Sequence, residues 1–383
     1  MKGHNMNEMP QAYLESERKY LVHDDELHHI PDELLMAPAR PIEQYYLNQQ
    51  TEPYELRLRR IQLDGVAAHL ATVKKGSPPD RLEMETLITP DTYEFWLEAR
   101  QTEPLRKTRQ TLEFSAGHWA LDSYMDINLS LVEAEGDVPH PTFGHDVTHD
   151  TRFTNYELAQ VNDTKQGHMP DSFIAAEAPS DITALKDRIE YVRQQMPRPI
   201  IIGIAGDTGS GKTTLARKLA EPYGNQAIIM SQDHYYRGVT EMRQRFGEDY
   251  EVNFDTPISI DSHLLAKHLS DLQDEKPVQR PTYSMETSDP TGEYQTIDPA
   301  STPIIFVEGI HALDPILTGW YDLSLFVSAP LATRVGRRLE RDLQEGRSFS
   351  PEDNLRYLLE VAEPTYRPYG QRQKAAAEII YHN

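Results

Sequence analysis

Two rhythms run along this chain. Residues 11–160 alternate polar and apolar positions in short segments divided by turn residues, the period-two mark of half-buried strands. Residues 198–383 instead place continuous apolar runs between stretches of helical spacing, as in a parallel sheet covered by helices. The change of rhythm predicts two folds. Between them, Asn162–Pro170 is rich in chain breakers. Residues 181–195 then return to helical spacing, with Ser180 or Asp181 as cap and Ile182, Leu185, Ile189 and Val192 on one stripe. The expected organisation is a disordered lead-in at 1–10, a first domain at 11–162, a linker containing a helix at 163–197, and a second domain at 198–383.

In the first half the alternation carries charge where a core would be. Glu15, Glu17 and Lys19 share a strand face, as do Arg57 and Arg59 opposite Leu56 and Leu58. Thr72 and Lys74 repeat the theme. Arg81, Glu83 and Glu85 lie opposite Leu82 and Met84; Lys107 and Arg109 form a basic pair, and Glu133 and Glu135 an acidic one. One such strand is ordinarily a solvated face. Six of them change the odds: if the sheet closes into a barrel, the charged faces line its inside. Carboxylates there suit hard ions such as Mg²⁺ or Mn²⁺, and the basic residues suit a polyanion.

The second half opens with an apolar run, Pro199–Ala205, followed at once by Gly206, Asp207, Thr208, Gly209, Ser210, Gly211, Lys212, Thr213 and Thr214. This is the spacing G-x-x-x-x-G-K-[ST] between a strand and a helix, which cradles the phosphates of a nucleotide. Glycines let backbone N–H groups converge on one phosphate, and the helix N-terminus adds partial positive charge. Lys212 is expected on the β- and γ-phosphates and the Thr213 hydroxyl on Mg²⁺. Two further strands end in acids, one at Asp233 and one at Glu308. Ligands of open parallel sheets bind beyond the carboxyl ends of strands, so both acids are expected near the phosphates. Asp233 is the candidate proton acceptor for a hydroxyl nucleophile, and Glu308 the candidate partner of Mg²⁺. Arg334, Arg337, Arg338 and Arg341 recur at helical spacing and suggest a lid over ATP, since the arginine fork binds phosphate in a bidentate way.

Composition narrows the partners. The formal net charge of −23 argues against a general nucleic-acid binder. No apolar run approaches the ~20 residues that span a bilayer, so a cytoplasmic protein without membrane contact is expected. The chain has no cysteine, which excludes disulfides and thiolate metal sites. His28, His29, His145 and His149 are scattered and read as loop histidines, and Trp96 and Trp119 as packing residues. Self-association into a homo-oligomer is compatible with the sequence.

Both halves resemble known families. Glu15-Ser-Glu17-Arg-Lys19, followed in order by R-x-R, T-x-K, R-x-E-x-E, K-x-R and E-x-E pairs, is similar to the CYTH domains, or triphosphate tunnel metalloenzymes. Residues 150–159 look like that family's closing segment. The resemblance implies an antiparallel eight-stranded tunnel that hydrolyses a triphosphate. Lys19, Arg57, Arg59, Lys74, Arg81, Lys107 and Arg109 would grip phosphate, and Glu15, Glu17, Glu83, Glu85, Glu133 and Glu135 would serve the metal. Inorganic tripolyphosphate is the default substrate, because no base-binding feature stands out.

The second half resembles the uridine kinase and phosphoribulokinase group of P-loop kinases. The matching segments are the phosphate loop, Ser231–Tyr236, Asn253–Pro257, Val307–Ile310 and Arg337–Asp342. The resemblance implies an α/β kinase with a parallel sheet, ATP as co-substrate and Asp233 as base, with Lys212, Glu308, Arg337, Arg338 and Arg341 in catalytic roles. Tyr236 and Tyr283 would bind the acceptor, often uridine or cytidine. One stretch departs: Ser284, Met285 and Ser288 stand where the family carries Asp, Phe and His, which leaves the acceptor open. Two alternatives remain. The tunnel acts as a triphosphate or nucleotide sensor without turnover, or the kinase-like half hydrolyses ATP or pyrophosphate.

Overall fold

A computed structural model describes residues 14–22, 29–48, 52–63, 65–77, 80–125, 129–150, 153–163, 181–345 and 350–383. The lead-in, His28, Ser180 and most of the segment before the helix at Ile182 lie outside these residues, as does the side chain of Glu15. Contacts divide the chain into two compact units, residues 1–173 with 330–360, and residues 174–329 with 361–383.

The first unit is built on a closed antiparallel sheet. Its strands are β1 (Leu14–Val22), β2 (Arg40–Tyr46), β3 (Tyr54–Leu63), β4 (Val66–Ser77), β5 (Asp80–Leu87), β6 (Leu105–Phe114), β7 (Gly117–Tyr124), β8 (Leu129–Gly136) and the short β9 (His145–Asp146). They pair in the order β5-β4-β3-β2-β6-β7-β8-β1-β9, and β5 pairs again with β1, so eight strands form a ring. Strand alternation then sorts the side chains. Tyr20, Val22, Trp119, Leu121, Val132 and Ala134 pack outside with Ile30, Leu34 and Phe143. Residues next to them in sequence, Lys19, Ala120, Asp122 and Glu133, take the opposite face. Trp96 and Trp119 are packing residues: their indole N–H groups donate to Leu359 O at 3.0 Å and Pro139 O at 2.9 Å.

The arginine-rich helix Leu331–Gln344 and the helix Pro351–Tyr357 also belong to this unit, although the sequence placed them in the second domain. Thr333 Oγ1 donates to Glu52 Oε2 at 3.3 Å, Lys75 Nζ pairs with Glu340 at 2.6 Å, and Gly336 lies under the Tyr54 ring. A Cβ at Gly336 would stand 2.1 Å from Tyr54 Cδ1. Alanine is intrinsically better in a helix by about 1 kcal/mol, but overpacking of this kind costs about 1–3 kcal/mol. Gly336→Ala should therefore lower the melting temperature of the first unit, and an unchanged or raised value would mean that Tyr54 yields freely.

The second unit carries a parallel sheet. Its strands are β10 (Ile200–Gly206), β11 (Ala227–Ser231), β14 (Ile304–Glu308), β15 (Leu323–Ser328) and β16 (Ile379–His382), in the order β11-β14-β10-β15-β16. A separate hairpin joins β12 (Val278–Ser284) to β13 (Asp289–Ile297). Alternate residues of β10 feed two cores. Ile200, Ile202 and Ile204 pack with Leu215, Leu219 and Phe306, while Ile201 packs with Met230, Leu265 and Leu269. Burial on both faces explains why the sequence reads as a continuous apolar run. The helix Ile182–Gln195 is capped by Asp181, whose side chain accepts from Thr183 N. Its Leu185, Ile189 and Val192 enter the first of these cores, so it is part of the kinase unit and not a linker. Among the described residues no helix is long and apolar enough to cross a membrane.

Candidate phosphate sites

In the first unit, register explains which charges meet. Lys19 lies opposite Glu133 and Lys74 opposite Glu83; Thr72 is paired with both Arg57 and Glu85, and Arg109 with Asp122. Lys19 Nζ lies 3.0 Å from Glu17 and 3.1 Å from Glu133. Arg81 reaches Glu17 at 2.9 Å, and Lys74 reaches Glu83 at 2.5 Å. Arg57, only 2% exposed, donates to Thr72 Oγ1 at 3.3 Å and lies 3.5 Å from Glu83. Arg59 lies 3.5 Å from Glu85, whose carboxylate also accepts from the Thr72 hydroxyl at 2.7 Å. A cavity of about 630 Å³ is lined by Lys19, Arg57, Lys74, Arg81, Asn155 and neighbouring residues.

Burial works against the Lys19 ammonium, yet Glu133 and Glu17 hold its pKa above the usual lysine range. Burial likewise opposes ionisation of Glu133, but Lys19 and Arg109 hold its carboxyl well below the usual value. Glu135 is half-exposed, and His118 lies 3.6 Å from it. Among the described residues no three acids or histidines converge as a ready-made metal cluster. The carboxylates are instead interleaved with cations.

Sequence reasoning missed the most enclosed member of this set. Asp122 is fully buried; it holds Lys107, and accepts from Arg109 Nε and Nη2, both at 2.7 Å. Arg109 also contacts Glu133. The signal was available in the alternation of Ala120, Asp122 and Tyr124 against Trp119 and Leu121, but one acid in an apolar strand does not announce itself. Glu55 and Asn155 line the cavity as well and were equally unmarked.

In the second unit the phosphate loop follows β10 at the centre of the sheet, where its neighbours β14 and β15 lie on either side. Gly209 and Gly211 have φ of +70° and +95°, the left-handed region that glycine tolerates. A Cβ at Gly206 would meet Val327 O at 2.6 Å, so the strand exit requires glycine. The helix Lys212–Ala220 begins directly after Gly211. Ser210 O accepts from Asn383 Nδ2 at 2.7 Å, a support that no motif predicted. Thr214 is exposed on the helix.

Glu308 ends β14 beside Ile204 of β10 and Ser231 of β11. Thr213 Oγ1 donates to Glu308 Oε2 at 3.2 Å. Burial pushes the Glu308 carboxyl up, Lys212 opposes this, and Asp233 adds to it. The three sequence-selected groups Lys212, Asp233 and Glu308 thus share one electrostatic neighbourhood. A hydroxyl and a carboxylate oxygen beside the loop form a donor set suited to a hard divalent ion.

Ser231 fixes the start of the turn carrying Asp233, accepting from Asp233 N at 3.3 Å. The buried Gln232 beneath it accepts from His311 N at 2.9 Å. Tyr236 packs against Phe254 and Tyr283, with ring centres 5.3 and 5.5 Å apart. Phe254 completes an aromatic trio of which the sequence named two. At the departing stretch, Met285 is exposed and Ser288 adopts φ +55° beside Asp289, which holds Thr240 N at 3.0 Å.

Two arginines of the helix Leu331–Gln344 pair within the helix itself. Arg338 and Arg341 both bind Asp342 of their own helix, at 3.4 and 2.7 Å. Arg337 Nη1 is buried with no hydrogen-bond partner among the described residues.

Comparison with known proteins agrees with the second unit. A sequence model of the Phosphoribulokinase / Uridine kinase family matches residues 201–383. A uridine kinase of Alkaliphilus metalliredigens (strain QYMF) is 36% identical over 189 residues, covering 48% of this chain and 88% of that protein. A uridine kinase of Ligilactobacillus salivarius (strain UCC118) is 33% identical over 185 residues, covering 48% of this chain and 84% of that protein. Among solved structures, that of the inorganic triphosphatase NE1496 is 30% identical, with TM-score 0.27, covering 38% of this chain and 93% of that one. Through residues 201–383, with the phosphate loop, the Asp233 turn and Glu308 in place, the chain belongs to the phosphoribulokinase and uridine kinase family.

Proposed function

We propose that this is a two-activity phosphate enzyme. Its kinase half transfers the γ-phosphoryl group of ATP to a hydroxyl acceptor, and its tunnel half hydrolyses a triphosphate, with inorganic tripolyphosphate as the reference substrate. The observation that carries the kinase reading is the grouping of Lys212, Thr213, Glu308 and Asp233 at one end of the parallel sheet.

Backbone N–H groups of Gly206–Thr213 and the Lys212 ammonium hold the phosphates. A divalent ion at Thr213 and Glu308 would supply charge neutralisation between the phosphates. Asp233 takes the proton of the acceptor hydroxyl as its oxygen bonds to the γ-phosphorus. The bond from that phosphorus to the bridging oxygen breaks, and ADP leaves. Arg337, Arg338 and Arg341 lie in the first unit, where Arg338 and Arg341 pair with Asp342, and no step is assigned to them. The trio Tyr236, Phe254 and Tyr283 offers a surface for a flat ring, which favours a nucleoside such as uridine or cytidine.

In the tunnel, phosphate oxygens would take over Lys19, Arg57, Lys74, Arg81 and Arg109 from their carboxylates. The freed acids, Glu17, Glu83, Glu85 and Glu133 with Glu15 and Glu135, are then the candidates for a divalent ion. No step is assigned to that ion, because the described acids do not converge on one point.

The test is to incubate the full chain with Mg-ATP and uridine and follow phosphorus species by ³¹P NMR, then repeat with Mg-tripolyphosphate. UMP formation supports the nucleoside kinase. ATP hydrolysis without UMP favours the second reading, to which Ser284, Met285 and Ser288 already lend weight. Tripolyphosphate that is bound but never cleaved makes the tunnel a sensor.

A further inference from the structure

Lys107 is fully buried, and its ammonium is held from two elements. Asp122 of β7 is one partner, and Asn155 Oδ1 at 3.4 Å is the other. Asn155 lies at the start of the helix Asn155–Asp163, so its carboxamide is not part of the barrel wall. The same Oδ1 accepts from the Tyr124 hydroxyl at 2.5 Å, and Lys107 Nζ stands 5.3 Å from the centre of the Tyr124 ring. An ion pair alone would not need Asn155, and a buried pair is by itself weak evidence for stability. Two oxygen anchors on separate elements do something else: they fix the direction of a flexible side chain. An ammonium has three N–H donors. Asp122 and Asn155 use two, and no acceptor among the described residues takes the third.

We propose that Asp122 and Asn155 are positioning residues for Lys107, holding its ammonium so that the remaining N–H meets a phosphate oxygen of the tunnel ligand. This rests on the triphosphate reading of the tunnel, which gives Lys107 its ligand. Burial lowers the Lys107 pKa to about 8, with Asp122 opposing and Arg109 assisting. The other charges acting on it are Glu133 of β8, which raises the pKa, and Arg59 of β3, which lowers it. Lys107 is therefore charged below that pH and loses its proton above it, and triphosphate affinity should weaken as pH rises through about 8. Removing the Asp122 charge leaves burial opposed by Glu133 alone, so the loss should begin at lower pH.

The experiment is calorimetric titration of the full chain with inorganic tripolyphosphate from about pH 6 to about pH 9.5. Asp122→Asn should move the alkaline fall in affinity about one pH unit lower, leaving binding roughly tenfold weaker near pH 8. Loss of an acid would by general electrostatics strengthen anion binding at every pH, so net charge does not mimic this result. A purely structural role would lower the melting temperature and leave the fall where it was, and that outcome overturns the proposal. Should Asp122→Asn not fold, Asn155→Ala, which changes no charge, decides instead. It should weaken binding about ten- to a hundredfold at neutral pH, a loss of one hydrogen bond to a charged group, and unchanged affinity overturns the proposal. Phosphate release from the same samples separates the two ideas. Binding without hydrolysis refutes the hydrolase and leaves the positioning intact. Hydrolysis with an unmoved fall does the reverse, and a wild type that binds no tripolyphosphate overturns both.

Discussion

Asp233→Asn should slow phosphoryl transfer by about 10²–10⁴-fold, the usual contribution of a positioned general base. The amide keeps the shape of the side chain but cannot accept the acceptor's proton at neutral pH. Its own backbone N–H is tied to Ser231, so the turn should stay in place. ATP affinity should change little, because the proposed phosphate contacts are those of Lys212, Thr213 and the loop glycines. The measurement is the rate of product formation at saturating ATP and acceptor, with nucleotide affinity determined separately. A wild-type rate would remove Asp233 from the chemistry. An equal loss of ATP affinity would recast it as part of the nucleotide site.

The second large effect is expected from Arg109→Met. Arg109 joins Asp122 to Glu133, and both acids are buried. Breaking a buried ion pair from one side costs about 3–5 kcal/mol, because a charge is left without its partner. Here Asp122 keeps Lys107 and Glu133 keeps Lys19, so the lower end, about 3 kcal/mol, is expected. Tripolyphosphate binding should fall with it, since the lumen loses a cation that is placed by two acids. Denaturant unfolding of the full chain gives the first quantity and calorimetry the second. Unaltered values of both would mean that the lumen network is not the binding surface.

How much of this was legible in the chain depends on how local each signal was. The phosphate loop is a local object: eight residues dictate a backbone shape, and the flanking strand and helix follow in sequence. Asp233 and Glu308 were readable because the ends of parallel strands point to one edge. The lumen pairs were half readable. Alternation shows that Lys19 and Glu133 face the same way, but only the β1–β8 register shows that they touch. Asp122 was hidden because it is the one acid of its strand, and Asn155 because its contact with Lys107 depends on a helix folding back. Asn383 was hidden for the same reason, since its hydrogen bond to Ser210 spans most of the second unit in sequence. The helix at Ile182 was recognised as a helix but misassigned as a linker. Its apolar stripe said that it packs, not against what.

The helices Leu331–Gln344 and Pro351–Tyr357 lie in sequence inside the kinase family's span, but in packing inside the first unit. The two halves therefore cannot be parted by one cut. A fragment ending at residue 197 would strip Thr333 from Glu52, Glu340 from Lys75 and the Leu359 carbonyl from Trp96. It would also uncover the ring of Tyr54. Such a fragment reports on a wounded barrel rather than on an independent one. A fair dissection leaves the polypeptide whole and silences each half by substitution.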